Sequence, residues 1–141
     1  MNANKFNAEG YYDPTAYAAL SKIERETRQS RAFWPMVYIC SPLSGNVAAN
    51  QQKARRYCRF AVDSGYIPLA PHLYFPQFMD DCSRAERKLA LFMDIVLLSK
   101  CSELWVFGNR ISKGMHIEIE KAIHKGQPIR WFSDDCKEVC K

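Results

Sequence analysis

Four short apolar runs punctuate the chain, and longer segments of mixed polarity separate them. Residues 36–40 (MVYIC) lie between Pro35 and the turn Ser41-Pro42-Leu43-Ser44-Gly45-Asn46, and they predict a buried parallel strand. Residues 66–70 (YIPLA) predict a second strand, which Pro68 directs to a sheet edge. Residues 103–107 (ELWVF), closed by Gly108, and residues 128–132 (PIRWF) predict the third and fourth. Between the strands, residues 46–63 predict a helix that ends at Ser64-Gly65, and residues 114–125 one that ends at Gly126. Residues 83–100 predict another, opened by Ser83 and Glu86 as a capping box, with Ala85, Leu89, Phe92 and Val96 as its apolar stripe. Residues 71–82 (PHLYFPQFMDDC) read as a long aromatic connection, and residues 133–141 as a polar tail, frayed or weakly docked. Ahead of the first strand, Asp13 is expected to cap a helix that Pro14 opens, with Ala16, Leu20, Ile23 and Thr27 at helical spacing.

Strands that alternate with helices of about a dozen residues imply βαβ units, hence an α/β fold with a parallel sheet and helices on both faces. Open sheets of this kind bind ligands outside the carboxyl ends of their strands. The loops expected there follow strand one (SPLSGN), strand two (APHLYF) and strand three (GNRISKGM). Residues 1–34 read as a helical extension and residues 35–141 as the domain proper.

Composition narrows the function classes. The 141 residues suit one core, and 48% hydrophobic with 25% charged residues is ordinary for a globular domain. No stretch approaches the roughly 20 apolar residues of a membrane span. The first residues, MNANKFNAEGYYDP, lack the apolar core of a secretion signal, so a cytoplasmic protein is expected. The net charge of +5 is spread along the chain, with Arg55, Arg56 and Arg59 in one segment and Arg84, Arg87 and Lys88 in another. A nucleic-acid reader would carry a denser basic stripe, so a polynucleotide partner is not expected. The six cysteines include no CxxC pair, and no metal site or cofactor is expected. The chain has no GxGxxG and no Walker lysine, which argues against dinucleotides and triphosphates.

Three segments carry candidate chemistry. The Ser41–Asn46 turn offers two hydroxyls, Gly45 and a helix N-terminus, which attract an anion such as phosphate; a plain turn with Ser44 or Asn46 as the cap is the alternative. The second segment, Ser112-Lys113-Gly114-Met115-His116-Ile117-Glu118, also joins a strand to a helix. Gly114 would admit a ligand close to the backbone, Ser112 would cap the helix or donate to phosphate, and Glu118 is expected to stay ionised near the helix start. Third, Asp94 stands among Met93, Ile95, Val96, Leu97 and Leu98, where a raised pKa and a proton-donating role are expected. It shares a face with Arg87, and a surface Arg87–Asp94 pair is the alternative. Tyr38, inside the first strand, could aim its hydroxyl at Glu118, and His72 follows the second strand.

Together, Tyr38-Ile39-Cys40-Ser41-Pro42-Leu43-Ser44-Gly45, Asp94 and Ser112-x-Gly114-x-x-x-Glu118 resemble the nucleoside 2-deoxyribosyltransferase-like superfamily over roughly residues 36–132. The spacing of Ser112, Gly114 and Glu118 is most similar to that of the 2′-deoxynucleoside 5′-monophosphate N-glycosidases. The wider set PHLYF, Arg87, ELWVFG and SKGM looks like an uncharacterised bacterial and phage branch of the superfamily. The resemblance implies a flavodoxin-like three-layer sandwich with a four- to five-stranded parallel sheet and an extra N-terminal helix. It implies that Glu118 attacks the anomeric carbon of a deoxyribose, that Asp94 assists the base and that Tyr38 positions Glu118. Ser44, Gly45, Ser112 and Gly114 would hold a 5′-phosphate, with Ser41, His72 and Arg87 as further ligand-side candidates. A small nucleoside or nucleotide partner and a homodimer or larger homo-oligomer follow from the same resemblance. The alternative function is a non-catalytic binder of a nucleotide-derived molecule, as in phage–host conflict.

Overall fold

In the computed structural model, residues 14–30 and 33–140 are described, and they fall into two compact units, Met1–Trp34 and Pro35–Lys141. The first unit carries helix α1 (Pro14–Ser30), whose Leu20 and Ile23 are exposed. The expected cap at Asp13 and the side chain of Thr27 lie outside the described residues.

The second unit is built on β1 (Met36–Cys40), α2 (Val47–Asp63), β2 (Ile67–Leu69), α3 (Pro71–Tyr74), α4 (Arg84–Ser99), β3 (Glu103–Phe107), α5 (Lys113–Lys125), β4 (Ile129–Phe132) and β5 (Glu138–Val139). The sheet order is β2-β1-β3-β4-β5. β1 pairs parallel with both β2 and β3, and β3 with β4; β5 alone runs antiparallel. This is a flavodoxin-like α/β sandwich. Pro68 does sit in an edge strand, where its missing N–H costs no ladder bond.

Strand alternation divides the core. Val37 and Ile39 of β1 and Trp105 and Phe107 of β3 face α2, where Tyr57 stacks on Phe107 with ring centroids 4.2 Å apart. Tyr38 and Cys40, with Leu104 and Val106, face the other way, toward Leu98 of α4 and Met115, Ile119 and Ala122 of α5. That second side is largely apolar, but Glu118 of α5 and Asp94 of α4 are set into it. There the polar site is built.

Three expectations are corrected. The connection after β2 is not irregular: Pro71 opens α3 and a 3-10 turn follows at Phe75–Gln77. The tail does not fray: Cys136, at φ 61°, turns the chain so that β5 pairs with β4, and Arg130 binds Glu138 at 2.6 Å. Most consequential, the stripe assigned to α4 is its outer face. Leu89, Phe92 and Val96 are exposed, and Leu91, Asp94, Ile95 and Leu98 point inward. Both rows have helical spacing in this apolar-rich helix, so periodicity could not choose between them. The Ser83 cap holds as expected, its Oγ accepting from the Glu86 N–H at 3.3 Å.

Gly108, at the end of β3, is required twice over. Its φ is +91°, and a β-carbon there would sit 2.9 Å from Asp134 Oδ1. Gly108→Ala is therefore expected to lower unfolding stability by about 1–3 kcal/mol. An unchanged urea midpoint would contradict that account of the turn.

Candidate functional site

The carboxyl ends of β1 and β3 are the point where the sheet order reverses direction, and the loops that leave them diverge to opposite faces. On the α4–α5 side lies a cavity of about 590 Å³, large enough for a nucleotide. Leu43, Pro71, Phe75 and Leu91 give it apolar walls. His72, Arg87, Asp94 and Gly114 reach it as well, so four of the candidate residues share one cavity. Its charges are mixed: Asp80, Asp81 and Glu86 lie with Arg84, Arg87 and Lys88 around the start of α4, and Lys113 stands beside Gly114 at the start of α5. Arg87 faces Asp81 at 4.0 Å, both well exposed, and does not pair with Asp94.

Behind the rim of this cavity sits Glu118. It is buried against β1, where Tyr38 and Cys40 both donate hydrogen bonds to its carboxyl. The two donors stand two residues apart and so emerge on one face of the strand. Glu118 Oε2 and Asp94 Oδ1 are both buried without a hydrogen-bond partner among the described residues. The two acids feel one another electrostatically, and Tyr38 feels both.

These surroundings set the protonation. Burial pushes Asp94 up to about 7, as its apolar neighbours predicted. Burial also pushes Glu118 up to about 8, followed by repulsion from Asp94, while the Tyr38 and Cys40 hydrogen bonds oppose the shift. The expectation that Glu118 stays ionised is thus overturned. The helix dipole acts within about one turn, and Glu118 is the sixth residue of α5. Burial raises the pKa of the Tyr38 hydroxyl and of the Cys40 thiol as well, so both remain protonated donors at neutral pH.

The other candidates disperse around this centre. Ser112 caps α5, its Oγ accepting from the Met115 N–H at 3.3 Å, and it lines a shallower depression beside the main cavity. Ser44 and Gly45 lie at the exposed tip of their turn, and Asn46, not Ser44, caps α2. The Ser44 carbonyl accepts from Asn50 Nδ2 and from Arg110 Nη2, each at 3.0 Å, so two side chains brace the loop. His72 is bonded inside: its Nε2 shares a 2.9 Å hydrogen bond with Ser41 Oγ, in a direction set by the tautomer. Burial lowers the His72 pKa to about 4, so the ring is neutral at physiological pH. Sequence reasoning quoted Cys40 but gave it no role, although the period of two that carries Tyr38 to Glu118 carries Cys40 there too. Nothing in the sequence signalled that Arg110 reaches back to the Ser41–Asn46 turn.

The raised carboxyl pKa values make a stability prediction. A protonated Glu118 favours the folded state fully below its unfolded pKa of about 4.5, and that contribution is lost as pH rises to about 8. Glu118→Gln keeps the shape without the charge. Its stability relative to the parent is expected to rise between pH 5 and 8.5, ending about 1–3 kcal/mol ahead. The His72 titration is common to both proteins and cancels in the difference. A difference flat across that range would mean that Glu118 ionises freely.

Comparison with known proteins follows this geometry. A family model described as a domain of unknown function, DUF7768, matches residues 35–132. No curated protein matches the sequence. Among solved structures, the chain is similar to a 2-deoxyribosyltransferase from the psychrotolerant bacterium Bacillus psychrosaccharolyticus. The TM-score is 0.55 at 18% identity, over 75% of this chain and 77% of that one. It is also similar to a 2-deoxyribosyltransferase from Leishmania mexicana, with a TM-score of 0.50 at 16% identity, over 70% of this chain and 64% of that one. At such identities the likeness is one of fold. With its whole sheet-bearing unit up to β4 inside the matched segment, the chain belongs to the DUF7768 family.

Proposed function

We propose that the protein cleaves or transfers the N-glycosidic bond of a deoxynucleoside or its 5′-monophosphate, with Glu118 as the nucleophile. The observation that carries this reading is the pair of buried, mutually coupled carboxyls, Glu118 and Asp94, served by Tyr38 and Cys40 at the edge of a nucleotide-sized cavity. The shared fold with two 2-deoxyribosyltransferases supports it.

Glycosidic chemistry needs one ionised carboxylate and one protonated acid. The pair titrates as a unit, and its working state holds a single proton. At rest that proton sits on Glu118, pushed up to about 8 against about 7 for Asp94; the working state moves it to Asp94, as Tyr38 and Cys40 take up the charge left on Glu118. A Glu118 oxygen bonds to the anomeric carbon while the bond from that carbon to the base breaks. The bonding electrons leave with the base nitrogen, which takes the Asp94 proton. Water or a second base then gives a proton to the Asp94 carboxylate, bonds to the anomeric carbon and releases the Glu118 carboxylate, which restores the single proton of the pair. Neutral His72, on the cavity wall, offers the base a hydrogen-bonding edge.

Gly114 gives Glu118 its route. A helical side chain leans back over the preceding turn, and Gly114 is four residues earlier. A β-carbon at Gly114 would meet nothing within 4 Å, and its φ is not positive, so neither packing nor backbone conformation requires the glycine. Its bareness leaves room for Glu118 to swing to the cavity and for a phosphate beside the Lys113 and Gly114 backbone. Exposed Leu89, Phe92 and Val96 on α4 support a homodimer or larger assembly as the working form.

The test is incubation with deoxynucleosides and deoxynucleoside 5′-monophosphates, with and without a second base, and chromatography of the released base. Glu118→Gln is expected to lower the rate by about a thousandfold or more. Gly114→Ala is expected to lower kcat/KM about tenfold to a hundredfold while leaving thermal stability intact. Base release that survives Glu118→Gln would refute the nucleophile. No release from any of these substrates, with a nucleotide retained on the purified protein, would favour the binder.

A further inference from the structure

A second cavity, of about 330 Å³, opens at the same sheet edge on the opposite side, against α2. Neither Glu118 nor Asp94 reaches it. One wall is a single row of α2: Asn46, Asn50, Lys53 and Tyr57 follow at intervals of four, three and four residues. The row continues to Ala61, and its carboxyl-terminal half, Tyr57 and Ala61, is fully buried in the core. A helix covering a sheet ordinarily keeps such a row apolar throughout. Here it turns polar where it passes the carboxyl ends of β1 and β3, the place where open α/β sheets take ligands.

The polar groups are arranged by type. The exposed Asp134 carboxylate accepts from the Tyr57 hydroxyl at 3.2 Å, and its remaining lone pairs can accept from hydroxyl donors of a ligand. The Gly108 turn brings this carboxylate against the backbone, leaving no room for a side chain there. At the rim, Lys53 has no ion pair among the described residues and projects a free ammonium. Asn109 lines the cavity with no side-chain hydrogen bond among the described residues, and Arg110 spends one N–H on the Ser44 carbonyl. A carboxylate acceptor beside these cationic groups fits a molecule with hydroxyls at one end and an anion at the other.

We propose that this cavity is a binding site for a sugar phosphate, whose hydroxyls donate to Asp134 and whose phosphate is held by Lys53, Asn109 and Arg110. The site is separate from the carboxylate pocket and stands whether or not that pocket is catalytic. The two communicate through one contact: Ser41 lines this cavity, and its hydrogen-bond partner His72 lines the other.

The test is a titration of the isotope-labelled full chain with ribose 5-phosphate, free ribose and orthophosphate, followed through backbone amide resonances. Ribose 5-phosphate is expected to move Lys53, Gly108 and Asn109 in a saturable way, and to bind more tightly than either fragment. Lys53→Met is expected to weaken it about tenfold, and Asp134→Asn to weaken it while leaving orthophosphate unaffected. Glu118→Gln is expected to change nothing, which keeps the result independent of the proposed catalysis. Melting curves of the variants, Lys53→Met above all because Lys53 is exposed, separate lost binding from lost fold. Shifts centred on Asp94 and Gly114, orthophosphate binding as tightly as ribose 5-phosphate, undiminished binding by Lys53→Met, or no saturation at about 10 mM would each overturn the assignment.

Discussion

A carboxyl group taken out of water holds its proton, and two taken out side by side resist losing both. Asp94 and Glu118 are in that position. Each has an oxygen that no solvent and no described donor reaches, and each raises the cost of ionising the other. Only Glu118 is given compensation, by a phenol and a thiol on one face of β1. Burial still outweighs that help, so Glu118, at about 8, holds its proton more tightly than Asp94, at about 7.

The fold supplies the means. β1 is an interior strand, flanked by β2 and β3, and its residues from Val37 to Cys40 are buried. Tyr38 and Cys40 are therefore donors on a buried strand, whereas Glu118 hangs from a helix whose preceding turn is thinned by Gly114. Glu118 rests protonated behind the rim, and the proposed chemistry requires it to give up that proton once a ligand fills the cavity. The same reversal of sheet order that opens this cavity opens the second one, and the Ser41–His72 hydrogen bond stands between them.

Much of this was legible in the sequence. MVYIC and ELWVF became β1 and β3 with the boundaries expected of them, because short apolar runs between turn residues have few other ways to be satisfied. Tyr38, Asp94 and Glu118, singled out from the sequence, lie close enough to influence one another electrostatically. What failed was whatever depends on which way an element turns. In α4 nearly every position after Leu89 is apolar, so two stripes competed and the wrong one was chosen; Asp94 marks the inner row because a cavity waits there. Glu118 was expected to be ionised from its sequence distance to the helix start, but burial, which sequence distance does not report, outweighs a dipole that has faded by the sixth residue. β5 was missed because its two residues are strand only through pairing with β4 and the Arg130–Glu138 ion pair.

The central claim is that Asp94 and Glu118 form one coupled, buried acid pair. Carbon-13 labelling of the aspartate and glutamate side-chain carboxyls, with each resonance followed by NMR from pH 3 to 10, observes this directly. Two carboxyls should titrate late, with apparent midpoints near 7 and 8 and curves that influence one another, and both should disappear or shift in Asp94→Asn. If every carboxyl titrates independently near 4, the pair is solvated and the account of the site is wrong.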